Sequence, residues 1–324
     1  MQKILVPLTL IVAGLIFGYL WQQFERKKGR GYETAIPVIR KRLQKICLLF
    51  FMPISFVAAV WVVSFQDIRV AFLPFIGAGA LLLGGLLGLG AATVLKKDGR
   101  QKGTLFCCGS FTNIGSVGAL VAFVFLGEAG FGLVALYKMF EDVIYYTVGF
   151  PIARYYSGTE HEVTFRQRIT DVSKDPFVRA AIGAFICGLA LNLSGIPRPP
   201  FFEIVNSFFI PIGTFILLVS IGLGMRFSSA GDYVVEGVLV SLIKFIAVPF
   251  IVGIAAYAMG FGDINDGLPL KVVLIASSMP VAFTALVAAS IYDLDLNLAN
   301  SCWLITTGLL IIILPWLSFL LGII

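Results

Sequence analysis

The chain has 324 residues, of which 59% are hydrophobic and only 13% charged, and its mean hydropathy is +0.96. Soluble domains run nearer roughly 45–50% apolar and about 25% charged, so this composition excludes a water-soluble globule and requires lipid as the solvent. The net charge of +6 does not point to nucleic acid, because Lys and Arg lie in the connections between apolar segments, where they act as topology signals.

A helix needs about 20 apolar residues to cross a bilayer. Ten such segments follow one another, at 4–21, 46–65, 70–95, 105–126, 129–152, 177–193, 201–224, 236–259, 270–291 and 297–322. The first runs into Glu25–Arg30 rather than a small-residue cleavage site, so it is read as a helix and not a signal peptide. In the third, Ala80, Gly84 and Gly88 stand four apart, a stripe for close helix packing. That segment's glycines follow no strand, which removes a nucleotide-loop reading. Cys47, Cys107, Cys108, Cys187 and Cys302 form no C-x-x-C pair, and the one histidine, His161, lies in a charged loop. This argues against a zinc site or a disulfide framework, and no metal is expected.

Orientation follows from the loops. Of the 24 Lys and Arg residues, 18 fall in or beside the connections 22–45, 96–104, 153–176 and 225–235, against 4 on the opposite side. The side with 18 is expected to be cytoplasmic, with both termini outside. The central connection 153–176 divides the chain into a first five-helix half (1–152) and a second (177–324). Phe50-Phe51-Met52-Pro53-Ile54 is echoed by Phe208-Phe209-Ile210-Pro211-Ile212, and Pro151 by Pro315. Five helices is an odd number, so the second half enters the membrane from the other side. The expected fold is an all-α polytopic membrane protein with ten transmembrane helices in an inverted 5+5 repeat, an arrangement common in secondary transporters.

The fourth and ninth segments occupy corresponding places in the two halves, and both are polar near mid-depth. The fourth carries Thr112, Asn113, Gly115, Ser116 and Gly118; the ninth carries Ser277, Ser278, Pro280 and Thr284. Pro280 lacks an N–H and clashes with the preceding turn, while Gly115 and Gly118 make unwinding cheap. Open backbone at that depth is tolerated where it lines a cavity or is buried in protein. The half-helices that follow would present free N–H groups and a partial positive charge, which suits a carboxylate. The expected substrate-binding set is Thr112, Asn113, Gly115, Ser116, Ser277, Ser278, Pro280 and Thr284. A second reading stands beside it, in which Gly and Ser only allow helices to pack closely. Lys138, Glu141 and Asp142 in the fifth segment and Lys244 in the eighth are ionisable residues at membrane depth. They are either a neutralised structural cluster or the carriers of coupling protons and attractors of an anion.

At these residues the chain resembles the auxin efflux carrier family of permeases, in the superfamily that also holds bile acid carriers. The likeness is carried by FTNIGSVG, LGEAGFG at 126–132, IGLGMRF at 221–227 and MPVAFTALVAASIYDLD at 279–295. The resemblance implies crossed broken helices 4 and 9 and the transport of a small organic anion, a mono- or dicarboxylate. It matches Asn113 to the family's crossover asparagine and Pro280 to its second crossover proline. The family's first motif often reads N-x-G-x-x-G-x-P; here its last position is Leu120, which predicts a break made by Gly115 and Gly118 alone.

The function expected is secondary transport by alternating access in a plasma or bacterial inner membrane. The alternatives are a sodium-coupled bile-acid-type symporter and an anion channel. No enzyme is expected: a membrane enzyme would have only Cys107, Cys108 and the carboxylates to work with. No cofactor is expected; coupling to Na+ or H+ and a homodimeric state are left open by the sequence.

Overall fold

A computed structural model describes residues 2–29, 32–65, 67–158, 170, 173–225 and 231–323. His161, most of the central connection 153–176, and Arg226 and Phe227 of the IGLGMRF run lie outside the described residues. What is described is helical apart from short connections and a single isolated β-bridge. Helix lies within each of the ten apolar segments. By length and apolarity, seven helices qualify as membrane spans, or eight if Leu296–Gly308 and Leu310–Ile323, which meet at a 48° bend, count as one. The protein is a multi-pass membrane protein.

In chain order the helices are α1 Gln2–Lys27, α2 Tyr32–Ile46, α3 Met52–Val60, α4 Leu73–Val94, α5 Gly99–Ser110, α6 Ala119–Tyr137, α7 Glu141–Ile144, α8 Phe150–Ser157, α9 Pro176–Leu193 and α10 Phe201–Gly222. They continue as α11 Val234–Leu242, α12 Val248–Ala258, α13 Leu268–Ser277, α14 Phe283–Ile291, α15 Leu296–Gly308 and α16 Leu310–Ile323. The expected cytoplasmic loop 22–45 is largely helix, because α1 extends to Lys27 and α2 begins at Tyr32. Hydropathy locates only the apolar part of a helix. Here the polar turns continue because their side chains find carbonyl partners: Gln22 donates to Leu223 O at 3.0 Å and Arg40 to Ser220 O at 3.0 Å.

Three π-helical turns, Cys47–Phe51, Tyr145–Gly149 and Ile243–Ala247, share one cause. Each is followed two residues later by a proline: Pro53, Pro151 or Pro249. Proline has no N–H to give to the carbonyl four residues back, so the helix widens by one residue and moves its bonding one step on. A fourth π turn, Ile114–Gly118, has no such proline and follows a break in the chain.

The chain forms two compact units: Met1–Ser64, Ala119–Ala135 and Asp175–Met225 make the first, and Phe65–Gly118, Leu136–Lys174 and Arg226–Ile324 the second. Each unit takes segments from both halves of the sequence. In the first, Gly18 of α1 and Gly222 of α10 lie against each other's backbone, where a Cβ would collide. The two echoed motifs also meet there: the rings of Phe51 and Phe209 are 5.0 Å apart edge to face. Asn192 of α9 donates to Trp61 O at 2.7 Å and Val63 O at 2.8 Å, closing the end of α3. Gly127 turns the chain within α6 at φ 73°, a left-handed conformation that suits glycine. The next residue, Glu128, pairs with Arg198 and accepts from Asn206 Nδ2 at 3.2 Å. In the second unit, Gly84 and Gly88 of α4 press on the backbone of α5 at Gly109 and Leu105. The stripe read from the sequence is therefore a packing surface.

Candidate functional site

The site lies in the second unit, where two helices stop in mid-course. α5 starts from Asp98, whose carboxylate accepts from Gln101 N at 2.9 Å, and it ends after Ser110, where Phe111 turns to an extended conformation. α13 ends at Ser277 because Pro280 cannot donate and forces Met279 out of the helical region. The two extended stretches lie antiparallel, with Thr112 opposite Val281. Asn113 N donates to Pro280 O and Ala282 N donates to Phe111 O, both at 2.9 Å. A third bond runs from Val281 N to Thr306 Oγ1 of α15 at 3.2 Å. Each interrupted helix thus satisfies part of the other's open backbone, as a buried location demands.

Side chains from three other elements converge on the first break. Lys244, on the π turn before Pro249, is only 1% exposed. Its ammonium donates to Thr112 Oγ1 at 2.5 Å and Phe111 O at 3.2 Å, with Ser110 O at 3.4 Å. It pairs with no carboxylate among the described residues, and its nitrogen is held by the oxygens at the end of α5. Tyr145, on the π turn before Pro151, accepts from Thr112 N at 3.0 Å and donates to Glu141 Oε1 at 2.9 Å. Glu141 Oε2 in turn holds Lys138 Nζ at 3.1 Å. A continuous polar chain, Lys138–Glu141–Tyr145–Thr112–Lys244, therefore runs through the crossing.

Of the residues expected to bind, Thr112, Asn113, Gly115 and Ser116 gather at the first break. The Ser116 hydroxyl donates to Asn113 Oδ1, and Lys138 Nζ lies over Gly115, where a Cβ would stand 3.1 Å from it. At the second break the side chains are less engaged. Ser277 Oγ is spent on Val273 O at 2.6 Å within its own helix. Ser278 is fully buried with no partner for its hydroxyl, and Thr284 is half-buried on the first turn of α14. Pro280 contributes its carbonyl. Among the ionisable residues, Lys138 and Glu141 pair, and Asp142 sits half-buried beside them. Lys138 falls in a turn between α6 and α7 rather than within a helix. Sequence reasoning missed Tyr145 and Thr306. Proline spacing held a signal for Tyr145, six residues before Pro151 as Lys244 is five before Pro249. Thr306 gave none, because a threonine in an apolar helix usually bonds its own backbone.

α14 begins at Ala282 with no side-chain cap. Its N-terminus therefore keeps backbone donors and a partial positive charge beside the crossing. Two lysines, Lys244 and Lys138, stand against two carboxylates, Glu141 and Asp142, so these charges balance; Lys138 pairs with Glu141, and Lys244 pairs with no carboxylate among the described residues.

Known proteins resemble this chain over different lengths. A stretch of 138 residues, 43% of this chain and 44% of the relative, is 30% identical to an uncharacterized transporter of Methanothermobacter thermautotrophicus. A stretch of 252 residues, 75% of this chain and 74% of the relative, is 26% identical to an uncharacterized transporter of Methanocaldococcus jannaschii. The family profile described as "Membrane transport protein" matches residues 37–318. With most of its length so matched, the chain belongs to the membrane transport protein family, the auxin efflux carrier family its motifs resemble.

Proposed function

We propose that the protein is a secondary transporter for a small organic anion, a mono- or dicarboxylate, bound beside the crossing of its fourth and ninth apolar segments and released by alternating access. The observation that carries this reading is the buried Lys244 ammonium, held by three oxygens of the first break and paired with no carboxylate among the described residues. An unmatched buried charge is costly, and a bound carboxylate near it would offset that cost. The uncapped start of α14 adds backbone donors of the kind that bind anions. Asn113 and Ser116 supply further hydrogen-bonding groups.

The same geometry favours a carrier that does not depend on sodium. In inverted-repeat carriers, the carbonyls at the end of a broken helix coordinate the coupling cation. Here the equivalent carbonyls of Ser110 and Phe111, with the Thr112 hydroxyl beside them, are already taken by Lys244. The chain from Lys138 to Lys244 offers groups through which a proton could be coupled instead. The inverted 5+5 repeat, a cytoplasmic central connection and external termini belong to this reading.

The test is calorimetric or thermal-shift binding on purified protein against a panel of mono- and dicarboxylates, with and without sodium, in wild type and Asn113→Ala. Saturable stabilisation by one carboxylate, independent of sodium and lost in the variant, is expected. No stabilisation by any carboxylate would sink the anion reading, and a sodium requirement would restore the symporter.

A further inference from the structure

A groove of about 910 Å³ runs within the second unit between α12, α13 and α16, apart from the polar chain at the crossing. Its walls are apolar, with Phe245, Pro249, Leu270, Leu274 and Ile313 among them. Besides Tyr257 and Trp316, its polar residues stand at its two ends. The inner end is Ser278, at the break of the ninth segment; the outer end is Asp263, in the turn Phe261–Asp263 that follows α12.

The length of the groove identifies what fits. α13 forms one wall from the outer connection to the break, and it has 10 residues. At about 1.5 Å per residue that is about 15 Å, half of a hydrocarbon core about 30 Å thick. The groove therefore spans one leaflet, from the headgroup level to the bilayer centre. It opens sideways, because Phe250 and Tyr257 on its rim are 66% and 71% exposed, as lipid-facing residues are.

The mouth selects the headgroup. Arg69 lies there, but its guanidinium is bound to both oxygens of Asp67 and to Gly260 O. Asp263, exposed beside it, donates its backbone N–H to Gly260 O at 3.2 Å, while its carboxylate faces the Arg69 guanidinium without a hydrogen bond or close ion pair among the described residues. Lys271, on the first turn of α13, donates to Asp266 O at 2.9 Å, so three carboxylates, Asp67, Asp263 and Asp266, stand against two cations, Arg69 and Lys271, and leave the mouth negative by one charge. We propose that this groove is a binding site for one acyl chain of a phospholipid whose headgroup carries a primary ammonium, with that ammonium on Asp263 and the chain end against Phe245 and Ser278. An ammonium with N–H groups makes charge-assisted hydrogen bonds to the carboxylate; a quaternary ammonium has only its charge, and a glycerol headgroup has neither. The occupied groove would buttress the broken segment from the side of the lipid.

Native mass spectrometry of the full-length purified protein tests this with phosphatidylethanolamine, phosphatidylcholine and phosphatidylglycerol of identical acyl chains. Wild type is expected to retain phosphatidylethanolamine about threefold or more over phosphatidylglycerol, the size of an accessible charge pair, with phosphatidylcholine between. Asp263→Asn is expected to level the three while still retaining lipid. Leu274→Trp, which fills the middle of the groove, is expected to lower retention of all three. Equal retention by wild type, or a preference unchanged in Asp263→Asn, would overturn the proposal. So would a dimer mass that disappears in Leu274→Trp without any lipid loss, which would give the groove to a second copy of the chain. Should Leu274→Trp fold poorly, the Asp263→Asn comparison alone decides.

Discussion

The two broken segments look alike in sequence and differ in chemistry. Both interrupt an apolar helix near mid-depth, and each takes a backbone hydrogen bond from the other. The first break, Phe111–Asn113, is surrounded by side chains from elsewhere: Lys244, Tyr145 and, through Glu141, Lys138. The second, Ser278–Ala282, is held by backbone and by Thr306 alone, while Ser277 is turned back on its own helix. The first break opens at Phe111–Asn113, ahead of Gly115 and Gly118, which lie in the π turn that follows rather than making the opening as expected, and Lys244 and Tyr145 bond the groups it exposes. A proline-made break leaves a carbonyl and little room. Matching positions in a repeat therefore fix where a chain opens, and they do not fix which opening carries the charge.

Variants at the two breaks should separate accordingly. The largest effect is expected for Lys244→Met, which removes the ammonium from three oxygens of the first break. A hydrogen bond to a charged group is worth about 1.5–3 kcal/mol, so affinity for a stabilising carboxylate should fall by about tenfold or more. Titration calorimetry reads this, with circular dichroism to show that helix content is kept. Unchanged affinity would mean that the anion is not bound at the first break. A smaller loss is expected for Tyr145→Phe. Its hydroxyl bridges the Thr112 backbone and Glu141, and a buried group left unpaired costs about 1–3 kcal/mol. Thermal unfolding should move down by several degrees, at about 2–4 °C per kcal/mol for a chain of this order. No shift would show that the polar chain through Tyr145 holds nothing in place. The smallest effect is expected at the second break, for Ser277→Ala. A hydroxyl bonded within its own helix contributes little, so stability and binding should both stay within about 0.5 kcal/mol of wild type. A large loss of binding there would make the two breaks chemically equal after all.

Much of the fold was legible because lipid imposes simple rules. Composition and segment length marked the helices, and the Ala80, Gly84 and Gly88 spacing marked a packed face whose two glycines the structure places on α5. Helix ends were less legible. α1 runs past its apolar segment and α2 begins well before the apolar run it leads into, since the partners of Gln22 and Arg40, Leu223 O and Ser220 O, come from the end of α10 and the residue after it, far away in the chain. Thr112, Asn113 and Pro280 were visible as polar or helix-breaking residues where an apolar helix was expected. Tyr145 was not, because tyrosine is common in membrane helices and its value here depends on a π turn that aims its hydroxyl at Thr112.

By itself, the sequence determined that this chain lives in a bilayer, where its helices run, and that two of them break near the middle. These follow from local causes: apolar length, a missing N–H at proline and polar residues where an apolar helix would otherwise run on. Only the tertiary structure decided that the compact units draw on both halves of the chain, and that an ammonium from Lys244 holds the first break. Those depend on which distant groups meet, and at membrane depth, where no water competes, a backbone opened by one segment must find its partners on another.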